Sequence, residues 1–322
     1  MVSIRQLVEL ITSNIESTGF PIPIPKEAVY EWAIPLKLPR GKERVLYTGA
    51  LYQLIPYINS LVKYLETLEE KSTLTSVAFR AAKVLTKVSI FRKIALKADS
   101  REVEEVNKIL RSIATLLRKN NIDYGYLYEY DMYSGILLYD IGLDDIFAKH
   151  AVKVSRTFKE LGVKEVITID PHTTYALRQL YPRYVDNFDI NVVNYLEVLS
   201  SVEELKTRHH DGPARYVIHD PCYYTRFENI IKEPREILAK SGLQVVEPRR
   251  TRELTYCCGG PIESIFPTLA SAIAEARVKE LKNYSTQIVT LCPICFANLS
   301  RVSRKLGVSV RDIAVLLGER NG

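Results

Sequence analysis

An α/β fold is predicted, built as two pseudo-symmetric halves with mainly parallel sheets and flanking helices, and with a helical insertion in the first half. Three observations predict it. Short β-branched stretches alternate with amphipathic helical stretches, the order that builds parallel sheet. The alternation occurs twice, in register. The chain has 322 residues, 47% hydrophobic and 25% charged, which is enough to bury the core that such a fold needs.

The elements follow in order. "MVSIRQLVELITSNIESTGF" places Ile4, Leu7, Leu10, Ile11 and Ile15 on one helix face. It lacks the uninterrupted apolar core and cleavage site of a signal peptide. No apolar stretch reaches membrane-span length. The expected location is therefore cytoplasmic, with room for a peripheral contact at the inner face of a membrane. "VLYTGA" (45–50) reads as a strand running into a turn. Residues 58–120 read as added helix. Within them, segment 79–97 carries Arg80, Lys83, Lys87, Arg92, Lys93 and Lys97 and no acid, a packed helix with a basic face suited to docking a partner. Asp99 in "DSRE" reads as the cap of the next helix, with Glu102 three residues on.

A helix at about 143–162, with Phe147, Ala151, Val154, Phe158 and Leu161 on one face, leads into the strand and turn "EVITIDPHTTY" (165–175). The polar connector "LSSVEELKTRHHDGP" divides the chain into residues 1–200 and 201–322, with His209 and His210 in an exposed loop. The second half repeats the order. It has the strand "YVIHDPC" (216–222), the strand-like "LQVVE", a helix at about 264–282 presenting Phe266, Leu269, Ile273 and Ala276, and "QIVTLCPICF" (287–296). Aligning "MYSG" with "CCGG" and "TIDPHT" with "TLCPIC" pairs the five cysteines of the second half with Ala50, Met132, Tyr133, Asp170 and Thr173. The first half keeps the scaffold and none of the thiols.

Those cysteines, Cys222, Cys257, Cys258, Cys292 and Cys295, are spaced C-x34-CC-x33-C-x2-C. Adjacent Cα atoms lie about 3.8 Å apart, too close for an ordinary disulfide. Three strand ends at one edge of a parallel sheet can deliver all five sulfurs to one metal centre. Helix N-termini after Cys258 and Cys295 would favour thiolates, and Gly259 and Gly260 allow close backbone approach. Structural zinc and ordinary cubane clusters each take four ligands, so a fifth thiol suggests a non-cubane cluster or a cubane with a spare, labile thiol. A zinc-stabilised interaction subunit without redox activity, and a metal-free thiol–disulfide oxidoreductase using Cys292 and Cys295, stand as alternatives. The formal charge of +6 is mild and calls for no nucleic-acid partner. There is no dinucleotide fingerprint, P-loop or Ser/His/Asp arrangement.

The run "HDPC…YCCGGP…CPIC" resembles the cysteine-rich CCG domain of the B-type subunits of heterodisulfide reductases and of glycolate oxidase iron–sulfur subunits, here with a degenerate first motif. The resemblance covers about 45–320. It implies an iron–sulfur electron-transfer subunit of an oxidoreductase complex, with a [4Fe–4S] cluster of the non-cubane kind on Cys222, Cys257, Cys258, Cys292 and Cys295. It also implies a flavoprotein or ferredoxin-like partner and a thiol/disulfide or quinone acceptor. The missing first-half thiols speak against a two-cluster site. His219 and Asp220 are candidates to tune the cluster or hold the turn before Pro221. Asp170 and His172 are candidates for a second metal, with an ordinary helix cap as the simpler role. Tyr223, Tyr224 and Tyr256 are expected to pack around the thiols.

Overall fold

The structure, a computed structural model, describes residues 4–72, 94, 96–208 and 215–318. Helix α1 (Ile4–Thr18) precedes strand β1 (Arg44–Tyr47), helix α2 (Leu51–Ser72), helix α3 (Ser100–Lys119) and β2 (Gly125–Tyr126). Then come α4 (Ile136–Asp140), α5 (Asp144–Glu160), β3 (Glu165–Thr168), α6 (Pro171–Tyr175), α7 (Tyr181–Tyr184), β4 (Asn191–Asn194) and α8 (Tyr195–Ser200). The second half holds β5 (Arg215–His219), α9 (Lys232–Lys240), β6 (Gln244–Val246), α10 (Pro267–Lys282), β7 (Gln287–Thr290), α11 (Pro293–Ser303), β8 (Ser309–Asp312) and α12 (Ile313–Gly318). Most of segment 79–97 lies outside the described residues, as do His209 and His210. Lys97 is described and exposed.

The strands form two four-stranded parallel sheets, ordered β2-β1-β3-β4 and β6-β5-β7-β8. The same order in both is what a repeated βα unit requires, and the repeat reaches single hydrogen bonds. Thr168 at the end of β3 donates to the Val193 carbonyl at 3.1 Å, and Thr290 at the end of β7 donates to the Arg311 carbonyl at 3.2 Å. Asn194 caps α8 through the Leu196 amide, and Asp312 caps α12 through the Ala314 amide.

The halves exchange one further pair of contacts. Tyr52 donates to Asp312 Oδ2 at 2.7 Å, and Asn194 Nδ2 donates to the Tyr224 hydroxyl at 2.9 Å. Tyr52 and Tyr224 each stand two residues beyond the aligned positions Ala50 and Cys222. The two bonds are thus equivalents across a pseudo-twofold relation. All four side chains are buried, and the core around them draws Trp32, Leu46 and Ile113 from the first half and Ile218, Leu291 and Leu316 from the second.

One part of the repeat alignment shifts. Gly135 and Gly259 both take left-handed backbone, at φ +85° and +95°, and Thr173 Oγ1 lies 3.5 Å from Ser134 Oγ where Cys295 meets Cys258. The structural counterparts of Cys257–Cys258 are therefore Tyr133 and Ser134, one residue on from Met132 and Tyr133. Apolar pattern aligns elements, whereas the loop register depends on which glycine makes the turn. Helix α5 buries Phe147, Ala151, Val154 and Phe158 as expected. Helix α10 does not bury the expected face. Phe266 and Leu269 are exposed, and the helix turns Ala270, Ala274, Arg277, Val278 and Leu281 inward. Small residues let the thiol-bearing loop lie against it, since a Cβ on Gly259 would stand 2.5 Å from the Ala270 carbonyl oxygen. Asp99 caps α3 through the Arg101 amide, and Glu102 reaches back to Lys63 and Asn59 of α2.

The reciprocal tyrosine contacts are unequal in chemistry. Burial pushes the Asp312 carboxyl up to about 7, and removing the Tyr52 hydroxyl strands its Oδ2. Asn194 Nδ2 keeps a second acceptor in Thr174. Tyr52→Phe is expected to cost about 1–3 kcal/mol and Tyr224→Phe less, read from denaturation midpoints. Equal losses would contradict this account of the junction.

Candidate metal centre

All five cysteines are free and come together at the carboxyl ends of β5 and β7. The pairing His219↔Thr290 sets the two strand ends level, so Cys222 and Cys292 leave the sheet at one edge. Cys292 is the N-cap residue of α11 and Cys295 lies in its first turn. Cys257 and Cys258 sit in the loop between β6 and α10. No helix starts directly after Cys258: a short turn at Ile262–Ser264 intervenes, and α10 begins at Pro267. Helix N-termini meet the thiols instead at Cys292, which caps α11, and at Cys222, where the helical turn running to Glu228 begins.

The sulfurs form a chain of contacts in the order Cys222, Cys257, Cys258, Cys295, Cys292. Two adjacent residues can face one centre because the backbone reverses at once. The Gly259 amide donates to Cys257 Sγ at 3.4 Å, and a Cβ on Gly260 would stand 2.1 Å from Ile294 Cγ2. The S–H groups of Cys222 and Cys258 hold Cys257 far below the ordinary thiol range. Burial alone would raise Cys292, but hydrogen bonds from Cys295 and His172 outweigh it and bring it down to about 5. Cys222, Cys258 and Cys295 are pushed up, chiefly by the sulfurs beside them. Neighbouring sulfurs thus pull Cys257 and Cys292 towards the thiolate and push the other three towards the thiol, and a thiophilic metal would displace the remaining protons on binding.

The surroundings give each neighbour a distinct role. Arg277, fully buried on α10, donates from Nε to His219 Nδ1 at 3.1 Å. An arginine Nε can only donate, so Nδ1 accepts and the ring hydrogen sits on Nε2. Burial, then the Arg277 charge, depress His219 to about 3, so the ring stays neutral. Its Nε2 has no partner, and a ring nitrogen of His219 lies within 4.8 Å of the Cys258 and Cys295 sulfurs. With Nδ1 taken by Arg277, Nε2 is the nitrogen left available to the thiol cluster. Asp220 holds the turn. It takes both Arg235 nitrogens at 3.0 and 2.9 Å, the Thr251 hydroxyl at 2.9 Å and the Arg252 amide at 2.7 Å, which anchors the loop leading to Cys257.

Asp170 takes the capping role, accepting from the His172 and Thr173 amides, both at 2.9 Å. His172 turns its ring across to Cys292. Burial works against its protonation, yet Cys292, Asp140 and Asp170 together push it up to about 9. It stacks on Tyr223, with ring centroids 4.2 Å apart, and Tyr223 donates to Asp140. Tyr224 belongs to the junction between halves, and Tyr256 is half exposed under Arg250, 3.8 Å from its ring centre. Tyr223 packs beside the thiols as expected, whereas Tyr256 flanks Cys257 from the exposed side. Among the described residues, His219, Cys258 and Cys295 form the group of closely set metal-binding atoms, and Asp170 and His172 are not part of it. Arg277 escaped the sequence reading, because an arginine on an amphipathic helix looks like a solvated charge.

An all-sulfur donor set with one backbone N–H and one imidazole N–H suits an iron–sulfur centre, and the sulfurs alone also suit zinc. Comparison with known proteins bears on this choice. Over 198 residues the chain is 31% identical to a "Probable iron-sulfur-binding oxidoreductase FadF" of Bacillus subtilis, covering 60% of this chain and 28% of that protein. Over 210 residues it is 24% identical to an "EtfAB:quinone oxidoreductase" of Syntrophomonas wolfei, covering 61% and 29%. Over 233 residues it is 29% identical to the D-type subunit of a dihydromethanophenazine:CoB–CoM heterodisulfide reductase of Methanosarcina barkeri, covering 67% and 56%. The chain thus spans from about a quarter to just over half the length of these curated relatives. Residues 216–300, in the second half of this chain, match the family model of the cysteine-rich CCG domain, and that stretch holds all five thiols.

Proposed function

We propose that the chain is an iron–sulfur electron-transfer subunit of an oxidoreductase complex, with its cluster held by Cys222, Cys257, Cys258, Cys292 and Cys295. The observation that carries this reading is the unbroken run of five sulfurs in one place. When bound, the cluster supplies reversible one-electron transfer. The fifth sulfur favours a [4Fe–4S] cluster of the non-cubane kind over a four-ligand cubane or zinc site. Electrons are exchanged with a flavoprotein or ferredoxin-like partner, and the acceptor is a thiol/disulfide compound or a quinone. Relatives named as quinone and heterodisulfide oxidoreductases support this class of chemistry.

The chain's own residues tune and shield the centre. Cys258, Cys292 and Cys295 are buried, while Cys257 is exposed beside Leu254 and Tyr256. One edge of the centre therefore faces outward, where a redox partner can approach. A metal-free dithiol mechanism fits poorly, because attack requires access and Cys292 and Cys295 are 0% and 4% exposed. No helix among the described residues is long and apolar enough to cross a membrane. If the chain works at a membrane, these residues meet it from its surface or through a partner.

Two measurements test the reading. Each of the five Cys→Ser variants is expected to lose or alter the same centre, seen as reduced iron and sulfide content and a changed EPR signal. Normal spectra in four of the five would sink the shared site. His219→Leu is expected to keep the iron, since Arg277 retains Glu280 and the Arg250 carbonyl as partners. Its midpoint potential should fall by roughly 60 mV or less, a tenfold or smaller change for one electron. The loss follows from removing an N–H that stabilises added negative charge on sulfur. If iron is lost instead, His219 is a ligand.

A further inference from the structure

Large apolar side chains reach the surface around the outward edge of the thiol centre. Leu254, Phe227 and Tyr256 are 74%, 52% and 46% exposed. Leu254 and Tyr256 closely precede Cys257, the exposed thiol. Phe227 packs on Tyr223, with ring centroids 5.2 Å apart, and Tyr223 follows Cys222 in the chain. Arg226 joins the two stretches, donating to the Glu253 carbonyl at 3.1 Å and to the Thr255 carbonyl at 2.7 Å. Single exposed apolar residues are ordinary, but a group set around one site marks a contact surface.

The charge around these side chains is mostly of one sign. Arg226, Arg249, Arg250 and Arg252 carry it, and across residues 222–230 and 249–257 the exposed acid is Glu253. Glu228 is buried against Arg178. Glu280 and Glu247 come within 3.9 Å of Arg250 and Arg252, but Arg277 and Arg235 already hold them at 2.9 and 2.6 Å. Arg249 and Arg252 are exposed, so their charges stand in water and do little to offset the buried sulfurs. Arg250 lies over the Tyr256 ring, which sets charge directly beside apolar surface. Protein contact surfaces are enriched in aromatic residues and arginine and depleted in lysine, and neither stretch has a lysine. Faces for anionic lipid or nucleic acid draw on lysine as freely as on arginine.

We propose that this face docks an acidic electron-carrier protein, one whose redox group lies under an apolar patch ringed by aspartate and glutamate. The proposal rests on the electron-transfer reading above and adds the face and the charge of the partner. The arginines steer and orient the encounter, and Leu254, Tyr256 and Phe227 form the dry middle of the contact beside Cys257. The reduced carrier is oxidised by one electron and the centre is reduced by one, with no bond made or broken.

The probe is a strongly acidic two-cluster bacterial ferredoxin. Calorimetric titration of anaerobically purified protein with the oxidised ferredoxin should give one-to-one binding at about 50 mM NaCl, and binding at least about tenfold weaker at about 500 mM. Arg249→Glu with Arg252→Glu in one chain, and Leu254→Glu alone, should each weaken binding at least about tenfold, with the EPR signal of the centre retained. Stopped-flow reduction of the centre by reduced ferredoxin should slow in the same proportion. Reduced methyl viologen, a small cation, should reduce these variants no more slowly than the unmodified protein, which separates lost docking from a damaged centre. Lys119→Glu, at the end of α3 that leads into the amino end of β2, should change neither binding nor rate. Binding indifferent to salt or to the reversals, no ferredoxin binding, or an equal effect of Lys119→Glu would overturn the proposal. Binding to phosphatidylserine vesicles that needs the same arginines would also overturn it. Iron and sulfide analysis of the same preparation separates the two claims. Metal present without ferredoxin binding defeats the docking face alone, and absent iron defeats the electron-transfer reading.

Discussion

The parallel pairing of β5 with β7 is the constraint on which the thiol centre depends. Its register, Val217↔Ile288 through His219↔Thr290, ends both strands at one level. From that edge Cys222 and the Cys292–Cys295 turn enter the same space. A slip of one residue would turn His219 and Thr290 to the opposite face and part the sulfurs. The third contributor, the loop of Cys257 and Cys258, has no strand to place it. It is anchored from the same strand end instead, by Asp220 with Arg235, Thr251 and the Arg252 amide. On its far side it is pressed onto α10 through Gly259. Helix α10 then returns Arg277 to His219. Sheet register, loop anchor and imidazole orientation form one connected arrangement.

The first half has the same sheet order without the sulfurs, and its residues have been turned to other uses. Asp170, at the position of Cys292, caps a helix, and Thr173, at the position of Cys295, packs against Gly49 and Ser134. His172, at the position of Ile294, crosses the junction to Cys292. The half also contributes α2 and α3, which pack against α11 and α12 of the other half. It therefore buttresses the centre and walls one approach to it. The half has no thiols and keeps the supporting geometry.

Much of this was legible in the sequence. The β-branched runs, the helix face of Phe147, Ala151, Val154 and Phe158, the Asp99 cap and the five-thiol spacing all rest on local pattern, and each has its counterpart in the structure. What was not legible depends on packing between distant residues. The face of α10 was misread because Phe266 and Leu269 outweigh Ala270 and Ala274 in hydrophobicity, whereas the loop beside the helix tolerates only small residues. The repeat register near Tyr133 slipped because four-residue motifs align equally well one step apart until a positive φ identifies the turning glycine. The tautomer of His219 followed only from a donor 58 residues away in the chain. The outward face around Cys257 joins two distant stretches through Arg226, a contact that no sequence motif announces.

The central claim is that one iron–sulfur centre, on the thiols of the second half, is the redox group this chain provides. Mössbauer spectroscopy of anaerobically purified, iron-57-labelled protein, with iron, sulfide and zinc analysis on the same sample, tests it most directly. The account predicts a single cluster of about four irons and four sulfides per chain. It also predicts at least one iron site distinct from those of a symmetric cubane, and no stoichiometric zinc. One zinc per chain without sulfide, or two clusters per chain, would contradict it.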